Sequence, residues 1–246
     1  MAKGTRPPFV PLIDLLASQY PDLADPAAAI TNHRVVVDGR PVDNPRARVR
    51  RNAGVRVRPA SRLRGQDKLA AGLDAFGVDV GGVVAVDVGA AAGGFTAELL
   101  ERGARRVYAL DVGFGQLVGG LRSDPRVVNL ERTNISSLGP AVVPEAVGLV
   151  TMDLSYLNVA AAVGALGALQ FKREALLMAL VKPTFELRRG TLITDAPSVR
   201  IAIAAAVTAI GSHGWRAEAC TIPVVTGAGG AVESFVLARR ISGGGL

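Results

Sequence analysis

The chain has 246 residues, 49% hydrophobic, 20% charged and 4% aromatic, with a formal net charge of +7. This composition excludes a disordered, collagenous or disulfide-built chain and leaves room for one or two domains with a sizeable core. Cys220 is the only cysteine and His33 and His213 the only histidines, so no Cys/His metal site can be assembled and no metal is expected.

In chain order, PFVPLIDLLASQYP sets Leu12, Ile13, Leu15 and Leu16 at helical spacing, and Asp25-Pro26 reads as the N-cap and first turn of a short helix. VVVDGRPVDNP reads as a strand, an Asp-Gly turn and a second strand. In RARVRR and VRVR, arginine then alternates with valine as in strands with one basic face. Residues 1–70 hold 13 of the 28 Lys/Arg and 6 of the 21 Asp/Glu, a net of +7, and the remainder is neutral. Between residues 46 and 68, Arg46, Arg48, Arg50, Arg51, Arg56, Arg58, Arg62, Arg64 and Lys68 face only Asp67. A charge run is in general a solvated surface, but this alternation suits a polyanion, and the eight arginines are candidate contacts to one. The chain therefore divides into a front module (1–59), a basic linker (60–70) and a second domain (71–246).

The second domain alternates strands and helices. GGVVAVDVG, RRVYALDVG, RVVNLE, VGLVTMDLS and EALLMALVKP read as strands. AGGFTAELLERG, LNVAAAVGALGAL and SVRIAIAAAVTAIGSHG read as helices, and WRAEACTIPVV with AVESFVLARR as an antiparallel closing pair. Near-continuous apolar strands between helices mean an α/β fold with a parallel sheet covered on both faces. Residues 154–171 run 18 positions without a charge, the lower edge of a spanning helix, but their Ala/Gly content fits a buried helix better, and no membrane is expected. MAKGTRPPF lacks the apolar core of a secretory signal, which with the single cysteine points to the cytoplasm.

Chemistry gathers at the element ends. In DVGAAAGGFT (87–96), glycines and alanines at a strand–helix junction let a ligand approach backbone N–H groups, and Asp111 ends the next strand where a carboxylate can accept both hydroxyls of a ribose. The dinucleotide fingerprint needs glycine at position 91, where this chain has Ala91, so S-adenosylmethionine fits better than a nicotinamide cofactor. Asp153, Lys182, Glu233 and Lys68 also stand at element ends, outside the carboxyl edge of such a sheet. A neighbouring cation such as Lys68, with partial burial, would make Lys182 a usable base.

The stretches LDVGFGQL…LRSDPRVVNLERTN, MDLSYLN and LVKPTFE resemble the hemolysin A (TlyA-type) family of ribosomal RNA 2′-O-methyltransferases, within the wider FtsJ-like group, from about Leu63 to Arg240. The front module resembles the RNA-binding domain of ribosomal protein S4 that this family carries, RVVVDGRPVDNPRARV matching its β-ribbon. The resemblance implies a Rossmann-like class I methyltransferase with a mostly parallel seven-stranded sheet and an antiparallel last strand, preceded by a small α+β RNA-binding-type domain. It implies a Lys-Asp-Lys-Glu tetrad at Lys68, Asp153, Lys182 and Glu233, in which Lys182 takes the proton from a ribose 2′-hydroxyl. S-adenosylmethionine would be held by Asp87, Gly89, Ala90, Gly93, Gly94, Phe95, Asp111, Val112 and Asp153, with Thr133 and Asn134 near its adenine. RNA, ribosomal RNA first, is the implied partner.

The chain departs from the family's pattern in places. Leu63-Arg64-Gly65-Gln66 replaces Ser-Arg-Gly-Gly, Thr184 stands where glutamine is common, the following loop is shortened to RRGTLITD, and between Arg6 and Arg34 there is no Lys or Arg. Two other readings stay open on these grounds, an O-methyltransferase of a small hydroxyl-bearing molecule or nucleoside metabolite, and a non-catalytic RNA-binding factor.

Overall fold

A computed structural model describes residues 8–59, 62–221 and 231–241, without the side chain of Arg64. The described residues fall into two compact units, one running up to Pro59 and including Val118–Asp124, the other formed by Arg62–Leu117 and the chain from Pro125 on.

In the front unit, β1 (Phe9–Pro11) leads into α1 (Leu12–Gln19), followed by α2 (Pro26–Thr31), β2 (Val35–Val37), β3 (Arg40–Val42), β4 (Arg48–Arg50) and β5 (Val55–Val57). Asp25 caps α2 as its sequence suggests, accepting the Ala28 N–H at 2.8 Å. The Arg/Val run is not one ribbon. Its first half, β4, pairs with β1, and its second half, β5, pairs with β2 in a three-stranded sheet ordered β3-β2-β5. The alternation works within each strand, since Val49 is buried while Arg48, Arg50 and Arg56 are exposed. Leu12, Leu16, Ile30, Val35 and Val37 form the small core. The segment Val118–Asp124, which contains α5 (Gly119–Arg122), belongs to this unit, the Gly120 N–H donating to Asn32 Oδ1 at 2.7 Å.

The second unit opens with α3 (Arg64–Phe76), so the stretch read as a linker is helical from Arg64 onward. Then come β6 (Val84–Val88), α4 (Gly94–Glu101), β7 (Arg106–Asp111), β8 (Val127–Glu131), β9 (Val147–Met152), α6 (Val159–Ala165), β10 (Phe171–Val181), α7 (Pro183–Glu186), α8 (Ala196–Ser212), β11 (Trp215–Cys220) and β12 (Ser234–Arg240). The strands form one seven-stranded sheet in the order β11-β12-β10-β9-β6-β7-β8. The ladders from β10 to β8 are parallel, and β12 runs antiparallel to both its neighbours. All five residues of β6 are buried, which is why its sequence shows no polar alternation. Residues 222–225 of the strand expected around Cys220 lie outside the described residues. No helix among the described residues is long and apolar enough to cross a membrane, and the 154–171 run is divided among a loop, α6 and a 3-10 turn.

Candidate active site

The order β9-β6-β7 places the sheet's switch point between β6 and β9, where the loops leaving the two carboxyl ends diverge and a ligand crevice opens. A cavity of about 180 Å³ lies there, lined by Leu63, Gly65, Gly89, Ala90, Ala91, Ala92, Gly94, Phe95 and Asp153. Its walls are mostly backbone, for reasons of close approach. A Cβ on Gly89 would stand 2.5 Å from the Asp153 carbonyl oxygen, and one on Gly94 would stand 2.7 Å from Gly65 Cα. The second contact brings the first turn of α3 against the first turn of α4. Gly93 is the left-handed N-cap of α4, which has no side-chain cap, so the positive end of the helix faces the cavity through Gly94 and Phe95.

The other residues expected to hold the cofactor divide by role. Asp111, at the end of β7, accepts the Ala91 N–H at 2.8 Å and the Gly113 N–H at 2.7 Å, fixing the glycine-rich loop to its own strand end. Val112 and Phe114 are exposed beyond it, with the Arg132 guanidinium 3.9 Å from the Phe114 ring centre. The Thr133 N–H donates to the Asp111 carbonyl, and Asn134 Oδ1 accepts from the Ser136 N–H in a tight turn. Val112, Thr133 and Asn134 thus surround the ends of β7 and β8, outside the lining of the cavity. Asp87 is a correction to the ligand-facing reading. It is fully buried beneath the loop, where the hydroxyls of Thr96 and Thr151 donate to its two oxygens at 2.7 and 3.0 Å. Burial pushes its carboxyl up to about 6 against those two hydrogen bonds.

The tetrad comes together through the sheet register. β10 ends at Val181, which pairs with Ser234, so Lys182 and Glu233 are the next residues along that ladder. Asp153 follows Met152, the last residue β9 shares with β6 and β10. Lys68 is presented by the buried face of α3. Two ion pairs result, Lys182 Nζ to Asp153 Oδ1 and Lys68 Nζ to Glu233 Oε2, both at 2.5 Å. Each ammonium thus has one carboxylate as its partner. Asp153 also lines the cavity, so the first pair stands directly beside it.

A further tie closes around that pair. In the turn after Lys182, the Glu186 N–H returns to the Lys182 carbonyl, and the Glu186 carboxylate accepts the Val159 N–H at 2.8 Å, at the start of α6. Asp153–Val159 and Lys182–Glu186 thereby form a ring closed at one end by the ion pair and at the other by this hydrogen bond. Sequence reading missed Glu186 because its partner is a backbone amide 27 residues away. It also missed Glu131, at the end of β8. Burial alone would raise that carboxyl, but the N–H groups of Leu117, Gln116 and Gly115 and the Asn129 amide outweigh it and hold it at about 2. Glu131 so orders the loop that follows Asp111.

Among the candidate RNA contacts, Arg46, Arg48, Arg50, Arg51, Arg56 and Arg58 are exposed on the front unit. Arg62 is a correction. It lies in the second unit and meets Asp67, Glu98 and Glu101 at 2.8, 2.5 and 2.9 Å, because α3 and α4 pack closely enough to surround it with carboxylates. Three nearby anions take up the charge offered to a phosphate. The side chain of Arg64 lies outside the described residues. No group of three or more His, Cys, Asp or Glu placed to hold a metal ion occurs among them.

Comparison with known proteins adds four findings. The family model of the FtsJ-like methyltransferases matches residues 61–240. The 16S/23S rRNA (cytidine-2′-O)-methyltransferase TlyA of Mycobacterium tuberculosis is 38% identical over 218 residues, covering 84% of this chain and 80% of that protein. Hemolysin A of Brachyspira hyodysenteriae is 32% identical over 179 residues, 69% of this chain and 73% of that one. A solved structure from Streptococcus thermophilus, 23% identical, superposes with a TM-score of 0.70 over 96% of this chain and 90% of that one, a likeness of fold.

Proposed function

We infer the function from one premise, that this chain belongs to the FtsJ-like methyltransferase family and is an S-adenosylmethionine-dependent methyltransferase. Its acceptor, in our reading, is a ribose 2′-hydroxyl of RNA, with cytidine in ribosomal RNA the first target to test, since that is what the name of the mycobacterial relative states for that protein. The observation that carries this reading is the Lys182–Asp153 pair beside a cavity walled by backbone, supported by the second pair, Lys68–Glu233. We place the enzyme in the cytoplasm with that RNA.

The residues present suit the cofactor. The uncapped start of α4 favours its carboxylate, Asp111 retains oxygen lone pairs for a ribose diol, and Gly89 to Gly94 set no side chain larger than a methyl against it. When bound, S-adenosylmethionine supplies an electrophilic methyl on a sulfonium. Lys182, entering the reaction as the neutral amine once its ammonium proton has left to solvent, would accept the proton from the 2′-hydroxyl as the oxygen–carbon bond forms, and Asp153 would aim the amine. The lysine would end as the ammonium beside the Asp153 carboxylate, the ion pair seen in this structure, and would release that proton to solvent before the next turnover. Lys68 and Glu233 neutralise each other and hold α3 against the sheet edge. Most of the acceleration then comes from positioning and fixed electrostatics.

The test incubates the purified chain with methyl-labelled cofactor and, separately, ribosomal subunits and a nucleoside pool. Label is expected in 2′-O-methylated ribose of RNA, and Lys182→Ala is expected to lower kcat by about 10²–10⁴ while cofactor affinity stays unchanged. Label found only in the small-molecule arm or on a base would overturn the RNA ribose reading, and full RNA-dependent function in the alanine variant would favour a non-catalytic factor.

A further inference from the structure

We propose that the front unit contains a pocket that holds one unpaired nucleotide of a bound RNA, with Arg34 and Arg58 on its phosphate and Tyr20 against its base. This rests on the RNA reading above and adds a recognition site to it. The pocket measures about 390 Å³, within the range of small-ligand sites, and its walls include Tyr20, Asp22, Leu23, Arg34, Val57 and Arg58.

The pocket follows from strand register. Val35 pairs with Val57, and the ladder continues one step, the Arg58 N–H donating to the Arg34 carbonyl at 2.7 Å and Arg34 Nε donating to the Arg58 carbonyl at 3.0 Å. Two arginines therefore stand on neighbouring strands, an arrangement that like charges disfavour. Neither guanidinium forms an ion pair with a carboxylate among the described residues, in contrast to Arg62 with its three. An anion between them would relieve the repulsion, and a phosphate can take hydrogen bonds from both.

The remaining walls argue for a nucleotide over a bare anion or an acidic peptide. The Tyr20 hydroxyl donates to the Val55 carbonyl at 2.9 Å, which fixes the ring, and Leu23 and Val57 extend the apolar surface beside it. A planar base gains from such a wall, on which neither a bare anion nor an acidic side chain can stack. Asp22 suits the amino group of a base. The site also accounts for α1 and α2, which carry no lysine or arginine, since the cations come from the strands.

The test uses the full chain and a fluorescein-labelled single-stranded oligoribonucleotide, read by anisotropy across a salt series. The double variant Arg34→Ala, Arg58→Ala is expected to weaken binding about tenfold and to flatten the slope of log affinity against log salt by about 0.7, the share of the one phosphate the two arginines hold. Cofactor affinity is expected to stay the same and the KM for RNA to rise at constant kcat. Tyr20→Ala, which removes the stacking surface but no charge, is expected to weaken binding about tenfold with the salt slope unchanged, and in the parent a 4-thiouridine photocrosslink is expected on Tyr20. An unchanged slope in the arginine variant, crosslinks confined to other residues, or equal competition by polyglutamate would overturn the pocket while RNA methylation continued. Loss of the RNA-function reading would show separately, as RNA that is bound but never methylated.

Discussion

At the residue scale, the informative position is Asp87. A carboxylate with no exposed surface and two hydroxyl donors is poorly compensated for leaving water, and burial wins over its hydrogen bonds. Its carboxyl sits at about 6, above the ordinary 3.8, so the folded state binds the proton more tightly than the unfolded one does. Folding stability from this group is full below pH 3.8 and falls as pH rises toward 6, on the order of 3 kcal/mol for a shift of this size. Asp87→Asn removes the titration. The stability difference between parent and variant should therefore move in the variant's favour between pH 4 and pH 7, as measured by denaturant unfolding at each pH. A pH-independent difference would mean that Asp87 is ionised in its hydrogen-bonded pocket. The sequence placed Asp87 correctly at a strand end, but its direction depends on Thr151, 64 residues away on another strand.

At the element scale, the site is a set of loop starts clamped to one another. Gly89 has φ of +86° and nearly touches the Asp153 carbonyl, so Gly89→Ala meets both backbone strain and a clash with main chain. We expect a loss of about 1–3 kcal/mol in stability and weakened cofactor binding, checked by thermal melts and calorimetric titration. The ring closed by Glu186 makes a different prediction. Glu186→Ala leaves the Val159 N–H without its acceptor and frees the turn that carries Lys182, so kcat is expected to fall about tenfold with cofactor affinity retained. Glu186→Gln keeps an acceptor oxygen and is expected to restore most of the rate. Equal loss in both variants would assign Glu186 to charge instead of position. The strands and long helices were legible from apolar runs and helical spacing, because each reflects local burial. The ring was not, because it depends on which strands become neighbours.

At the scale of the whole molecule, the net charge of +7 has a narrower meaning than the sequence suggested. Arg62 is matched by carboxylates, while six of the candidate arginines remain exposed on the front unit. If each neutralises one phosphate of single-stranded RNA, the salt slope for the full chain should be about −4. Replacing Arg48, Arg50, Arg56 and Arg58 by alanine should remove most of it, and Arg62→Ala should leave it unchanged while lowering stability. A slope that responds to Arg62 as strongly as to Arg56 would restore the continuous basic strap. By itself, the sequence determined the α/β alternation, the glycine-rich loop at a strand end, the four ionisable residues at element ends and the Arg/Val alternation. Each of these is written in a local period or a local composition. Only the tertiary structure decided that Lys68 meets Glu233 across 165 positions, that Lys182 meets Asp153, that Asp87 points inward and that Arg34 lies beside Arg58. Sheet order and strand register set those pairings, and they emerge from packing the whole chain at once.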